Sequence, residues 1–147
     1  MKKINSLLLV VALLGSLQLL GCKKKTEPKS ALELIQKTWR AQEVKEDGTT
    51  AYTAPYDAAN DTRDYSSFKL EFTSGTDVRL TESDGNPFNG KWTLNGSTLT
   101  LSNLSPEPTG GNTITYTNVA VTETELRLTR AGNNPKTGKS NTQYTLQ

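Results

Sequence analysis

The chain has 147 residues, with 17 Lys and Arg against 15 Asp and Glu, no histidine and one cysteine. That length suits a single domain with one sizeable core. The lack of histidine removes the commonest general base, the usual catalytic triads and the commonest metal ligand, and a lone cysteine leaves no intramolecular disulfide.

Met1-Lys2-Lys3 is a basic start, Leu7 to Leu14 is an unbroken apolar stretch, and Gly15-Ser16-Leu17-Gln18 interrupts it before Leu19-Leu20-Gly21-Cys22. A spanning helix needs about 20 mostly apolar residues. This run is shorter and ends at small residues beside the cysteine, as a signal does. The layout resembles the bacterial lipoprotein signal. The resemblance implies a signal peptide over 1–21 and a mature protein that starts at Cys22, exported and held on a membrane by acyl chains such as palmitate. Burial of each acyl CH₂ contributes about 0.8 kcal/mol, so several chains hold where one is marginal.

Residues 22–29 form a basic tether, with Lys23, Lys24, Lys25 and Lys29 against Glu27. Against anionic headgroups each lysine contributes on the order of 1 kcal/mol, and the same residues also suit a solvated linker. In some Bacteroidetes lipoproteins an acidic run after the cysteine marks surface export. Here Lys23-Lys24-Lys25 stands in that place, so the resemblance favours the periplasmic face of the outer membrane over the cell surface. From Ser30 onward acidic residues outnumber basic ones. That body lacks the basic patch nucleic acid requires.

Ser30-Ala31-Leu32-Glu33 has capping-box spacing and predicts a short helix to about Lys37, with Leu32, Ile35 and Trp39 inward. The period then changes to two. Trp39 to Val44 and Thr49 to Thr53 are strands about the turn Glu46-Asp47-Gly48, and Ala54 to Tyr65 is a polar loop. Ser67 to Phe72 alternates Phe68, Leu70 and Phe72 against Lys69 and Glu71. Val78 and Leu80 continue the alternation, Asp84-Gly85-Asn86-Pro87 turns the chain, and Phe88, Gly90, Trp92 and Leu94 alternate again. Asn95-Gly96 predicts a type I′ hairpin leading to Leu99 and Leu101.

Ser105 to Asn112 is a Pro- and Gly-rich loop. Thr113 to Val121 changes parity between Ile114-x-Tyr116 and Val119-x-Val121, which predicts a β-bulge near Thr117-Asn118. Leu126 and Leu128 lie on the next strand, Ala131 to Ser140 is a loop, and Thr142 to Leu146 closes the chain with Tyr144 and Leu146 inward. The expectation over 30–147 is an all-β antiparallel up-and-down barrel of eight or nine strands behind one short helix. An open sandwich is the alternative. Wet outer faces are the inverse of a transmembrane barrel.

Phe68-x-Leu70-x-Phe72, the run Gly90-Lys91-Trp92-Thr93-Leu94-Asn95-Gly96-Ser97-Thr98-Leu99-Thr100-Leu101, and Leu126-x-Leu128 together resemble the lipocalin-like domain of small Bacteroidetes lipoproteins. The helix entering Trp39 is similar to that family's opening. The resemblance covers about residues 31–147 and implies an up-and-down barrel with room for an apolar cavity. Classical lipocalins carry Gly-x-Trp on the first strand, whereas here Lys37-Thr38-Trp39 lacks the glycine and Gly90-Lys91-Trp92 lies mid-chain.

Three groups are candidates for chemistry. Glu71 and Glu82 lie on neighbouring strands, but Glu71 alternates outward and Glu82 sits at a strand end, which reads as a solvated pair rather than a glycosidase dyad. Asp57, Asp61 and Asp64 crowd one loop without a calcium-loop spacing and read as polar turns. Tyr52, Tyr56 and Tyr65 flank that loop and suit a sugar, a protein surface or a lid. Phe68, Leu70, Phe72 and Trp92 line an interior that is either packed solid or holds an apolar guest.

The expectation is therefore a monomeric, non-enzymatic envelope protein without cofactor or metal. It holds a small apolar or amphipathic ligand in the barrel or at its mouth through Tyr52, Tyr56, Tyr65, Phe68, Leu70, Phe72 and Trp92. The alternatives are a solid-core interaction or inhibitor protein that acts on an envelope partner through its loops, and a glycan binder using the three tyrosines.

Overall fold

The computed structural model describes residues 27–147. The signal segment, Cys22 and most of the tether lie outside the described residues. Helix α1 (Ala31–Ile35) leads into nine strands: β1 (Thr38–Glu46), β2 (Thr49–Thr53), β3 (Lys69–Phe72), β4 (Asp77–Thr81), β5 (Pro87–Asn95), β6 (Thr98–Ser105), β7 (Ile114–Val121), β8 (Leu126–Arg130) and β9 (Thr142–Leu146). All pairings are antiparallel and follow chain order from β3 to β9. β9 returns to pair with β1 through Ala41↔Leu146 to Glu46↔Thr142, and β1 pairs with β3 through Trp39↔Leu70. The ring of eight strands is closed. β2 is an extra strand along the last residues of β1. Closure leaves the ring without unpaired edges, the arrangement expected of so short a chain.

The capping box forms as expected, with the Glu33 amide donating to Ser30 Oγ and the Ser30 amide donating to the Glu33 carboxylate. The helix stops at Ile35 rather than Lys37, because Trp39 already belongs to β1 and its indole N–H donates to the Ile35 carbonyl at 2.9 Å. Ile35 and Trp39 are fully buried, but Leu32 points outward and is 50 % exposed. A five-residue helix turns only one face to the barrel, and Ile35 occupies it.

Bulges, rather than breaks, handle the changes of parity. Asn118 has φ +53° and the β7–β8 register shifts between Thr117 and Ala120, so the expected bulge is present. β1 shifts register against β9 between Ala41 and Glu43, which keeps Trp39, Ala41, Val44 and Glu46 inward. The hairpin at Asn95 differs in type from the expectation. Asn95 pairs with Thr98, so Gly96 and Ser97 are the central residues, and only Gly96 has positive φ. That is the requirement of a type II′ turn, which takes Gly first. The type I′ pattern occurs instead at Asp47 and Gly48, both at positive φ between Glu46 and Thr49.

Antiparallel order assigns the connections to two ends. Helix α1 and the turns after β3, β5 and β7 share one end, which Ile35 and Trp39 help to fill. The turns after β1, β4, β6 and β8 share the other, called the mouth below. No helix among the described residues is long and apolar enough to cross a membrane.

Candidate functional site

Inward parity carries polar side chains to the mouth. Tyr116 on β7 stands opposite Arg130 on β8, Arg130 opposite Thr142 on β9, and Thr142 opposite Glu46 on β1. All four are buried, so a polar rank crosses four neighbouring strands of the inner wall. Glu82 follows β4, whose place in the ring is opposite β8. Its Oε1 accepts from Arg130 Nη1 at 3.0 Å, and the ion pair therefore spans the lumen. Glu82 is 3 % exposed and Arg130 7 %. A buried charge persists only when paired, and these two partner each other.

Two further groups complete the rim. Glu46 Oε1 accepts from the Tyr65 hydroxyl at 2.7 Å and from Arg63 Nε at 2.8 Å, which ties the long β2–β3 connection to the lip. The β8–β9 loop folds over the opening and places Lys136 Nζ 3.0 Å from Glu82 Oε2 and against Asp84. The loop is compact, because the Asn134 carbonyl accepts from the amides of Thr137 and Gly138 and the Asn134 amide donates to Lys139. Beneath it lies a cavity of about 10 Å³, walled by Tyr65, Phe68 and Tyr144 and by Glu82, Arg130 and Lys136. That is room for roughly one water.

The electrostatics keep these groups in their donor forms. Burial raises the Tyr65 phenol, and its bond to Glu46 raises it further. Burial also raises Tyr116 and Tyr144, so all three remain protonated at neutral pH. Burial works against the Arg130 charge, but Tyr116 and Glu82 more than offset it and the net shift is upward. The Tyr116 hydroxyl and Thr142 Oγ1 are buried without a hydrogen-bond partner.

The structure separates the residues expected to bind together. Tyr52 and Tyr65 are buried with edge-to-face rings at 6.1 Å, while Tyr56 is 41 % exposed and apart from them. Phe68 stacks on Tyr144 at 4.5 Å, Phe72 meets Trp92 edge-to-face at 4.9 Å, and Leu70 is fully buried in the same core. Phe68, Tyr65 and Tyr144 reach the mouth cavity. Trp92 belongs to the opposite end, where its N–H donates to the Ser74 carbonyl.

The reading of Glu82 as solvated is corrected, because the β4–β5 turn folds it inward onto Arg130. Asp57 and Asp61 are engaged in turns, accepting from the amides of Ala59, Thr53 and Asp57. Among the described residues no three His, Cys, Asp or Glu side chains are placed to hold a metal ion. Arg130, Thr142 and Glu46 were missed as site residues. The available signal was their position, each two residues from an inward apolar or aromatic side chain.

A sequence profile of the lipocalin-like domain matches residues 35–128, most of the barrel. The chain belongs to the lipocalin-like domain family. Among solved structures, a lipocalin-like protein from Bacteroides uniformis is similar at 17 % identity, with 78 % of this chain and 97 % of that one covered and a TM-score of 0.48. An uncharacterized protein from Bacteroides eggerthii is similar at 16 % identity, covering 75 % of this chain and 95 % of that one, with a TM-score of 0.43. A search of curated proteins returns no match. Within the lipocalin-like barrel described here, the polar, aromatic-walled mouth is the candidate binding site.

Proposed function

We propose that this protein is a lipid-anchored, non-enzymatic binding module of the bacterial cell envelope that holds a small amphipathic ligand at the mouth of its barrel. The observation that carries the reading is the mouth itself, where the rings of Tyr65, Phe68 and Tyr144 stand beside the Arg130 guanidinium and the Glu82 carboxylate. Closed pockets that fix a ligand combine apolar walls with a few convergent polar groups, as here. Phe68, Leu70, Leu101, Leu128 and Tyr144 are buried together in the core, which supports a guest at the mouth rather than deep in the lumen, with the β8–β9 loop moving aside. Anchoring rests on the lipoprotein-like signal ending at Cys22. The opposite barrel end carries the tether, so the mouth faces away from the membrane, on the periplasmic side.

The same filled interior favours a second reading, an interaction protein acting through its loops. One set of measurements separates the parts. The Cys22→Ser chain is expected to lose palmitate labelling and leave the membrane fraction, while still binding the neutral dye N-phenyl-1-naphthylamine saturably at one site. Retained labelling contradicts the anchor. A dye signal that never saturates contradicts the mouth site and leaves the loop reading in its place.

A further inference from the structure

We propose that Glu82, Asp84 and Phe88 form a receptor for an organic ammonium group, that Lys136 of the same chain fills it in the closed molecule, and that the ligand class is an amphipathic amine. This rests on the reading of the mouth as a ligand site and names the chemistry of its guest.

Glu82 is the centre of the receptor. Its Oε1 is taken by Arg130, whereas Oε2 has only the Lys136 ammonium, in an ion pair without hydrogen-bond geometry; Oε2 is buried, and the residue lines the cavity. A carboxylate oxygen removed from water and left unpaired is strongly unfavourable. A guest that displaces Lys136 therefore binds best when it brings a positive charge with it. Four charges meet here: Glu82, Asp84, Arg130 and Lys136. They balance when the loop is closed, and one negative charge is left over when Lys136 departs.

The surroundings match the same chemistry. The Lys136 ammonium lies 5.7 Å from the centroid of the Phe88 ring, within the range at which a ring face attracts a cation. The tyrosine and phenylalanine rings of the cavity offer an apolar wall to the rest of such a guest. The loop that delivers Lys136 is held together as a unit. The Asn134–Lys139 bridge and the amides of Thr137 and Gly138, which donate to the Asn134 carbonyl, enclose Lys136, and Gly132, at φ +72°, lies outside that turn. Lys136 is thus a tethered occupant of a site that a free amine enters by competition.

The test uses the full chain and three six-carbon probes: hexylammonium, hexanoate and hexanol. Lys136→Met empties the site but keeps an apolar stem. Hexylammonium is expected to raise the melting midpoint of Lys136→Met saturably, with affinity at least tenfold above that for the wild type, and hexanoate is not. Adding Glu82→Gln removes the effect, and Lys136→Arg behaves as wild type because it refills the site. A second measurement does not depend on the variant's folding. In the wild type, excess hexylammonium is expected to speed amide hydrogen exchange from Gly132 to Asn141, and hexanoate to leave it unchanged. Equal responses to hexylammonium and hexanoate, or none to hexylammonium, overturn the proposal. If hexanoate or hexanol occupies Lys136→Met instead, the binding reading stands and the amine assignment falls. If no probe binds and the native protein carries no guest, both fall.

Discussion

Arg130 brings a full charge into the barrel, and its worth depends on Glu82. Removing one partner of a buried pair costs about 3–5 kcal/mol, mostly because the other charge is stranded, whereas replacing both by apolar groups is often neutral. Arg130→Met is therefore expected to lower stability in urea by about 3 kcal/mol, and the double variant with Glu82→Met to recover most of that loss. Additive losses in the two variants would show that the charges act independently. The latch outside the pair has its own pH signature. Burial works to raise the Asp84 carboxyl, but Lys136 and Asn86 more than offset it and hold it below the ordinary 3.8. Its stabilising contribution is present above 3.8 and lost as pH falls through the lower folded value. Burial likewise depresses Lys136, but Asp84 and Glu82 raise it above the ordinary 10.5, so its contribution is present below 10.5 and lost as pH rises through the folded value. Urea midpoints of Asp84→Asn and wild type are expected to differ at neutral pH and converge in acid below that window. A constant gap would contradict the latch. At this scale the sequence was readable by parity but not by chemistry. Glu46, Arg130 and Thr142 lie two residues from the inward Val44, Leu128 and Tyr144 and are buried with them, yet Glu46 reads in sequence as a turn residue and the charge or polarity of all three suits solvent. Only the closed ring, which brings β4 opposite β8, gives Arg130 a partner 48 residues away.

Strands, turns and the capping box were legible because each rests on neighbours in sequence. Phe68-x-Leu70-x-Phe72 needs only the pleat, and Ser30 with Glu33 needs only one turn of helix. What failed depended on contacts across the sheet. The centre of the β5–β6 hairpin lies one residue beyond the expected position because the pairing Asn95↔Thr98 is fixed by the whole ladder. The bulge at Asn103, with φ +53°, lets Leu104 rejoin the core after Leu101 and was not anticipated. Gly90 shows the same dependence. A Cβ there would lie 2.6 Å from the Ser102 carbonyl oxygen and 2.9 Å from Leu104 Cδ2, so the glycine before Trp92 is required by the close approach of β6. Gly90→Ala is expected to destabilise the barrel by about 2 kcal/mol, the range for overpacking, in a urea melt. A loss below about 0.5 kcal/mol, the ordinary scatter of surface changes, would contradict that account.

The whole molecule has one filled end and one polar end. Helix α1, Ile35 and Trp39 occupy the first, beside the tether, and the mouth with its ion pair and folded loop lies at the second. The family and the barrel were legible from the spaced motifs because they repeat along the chain. The site was not, since Glu82, Arg130 and Lys136 come from three separate segments joined only by closure. The central claim is that this mouth holds a guest. Gentle native mass spectrometry of the full chain, purified from its own cells, tests it most directly. The account predicts a reproducible extra mass that leaves on denaturation and corresponds to an amphipathic molecule. A bare chain mass in every preparation would contradict it.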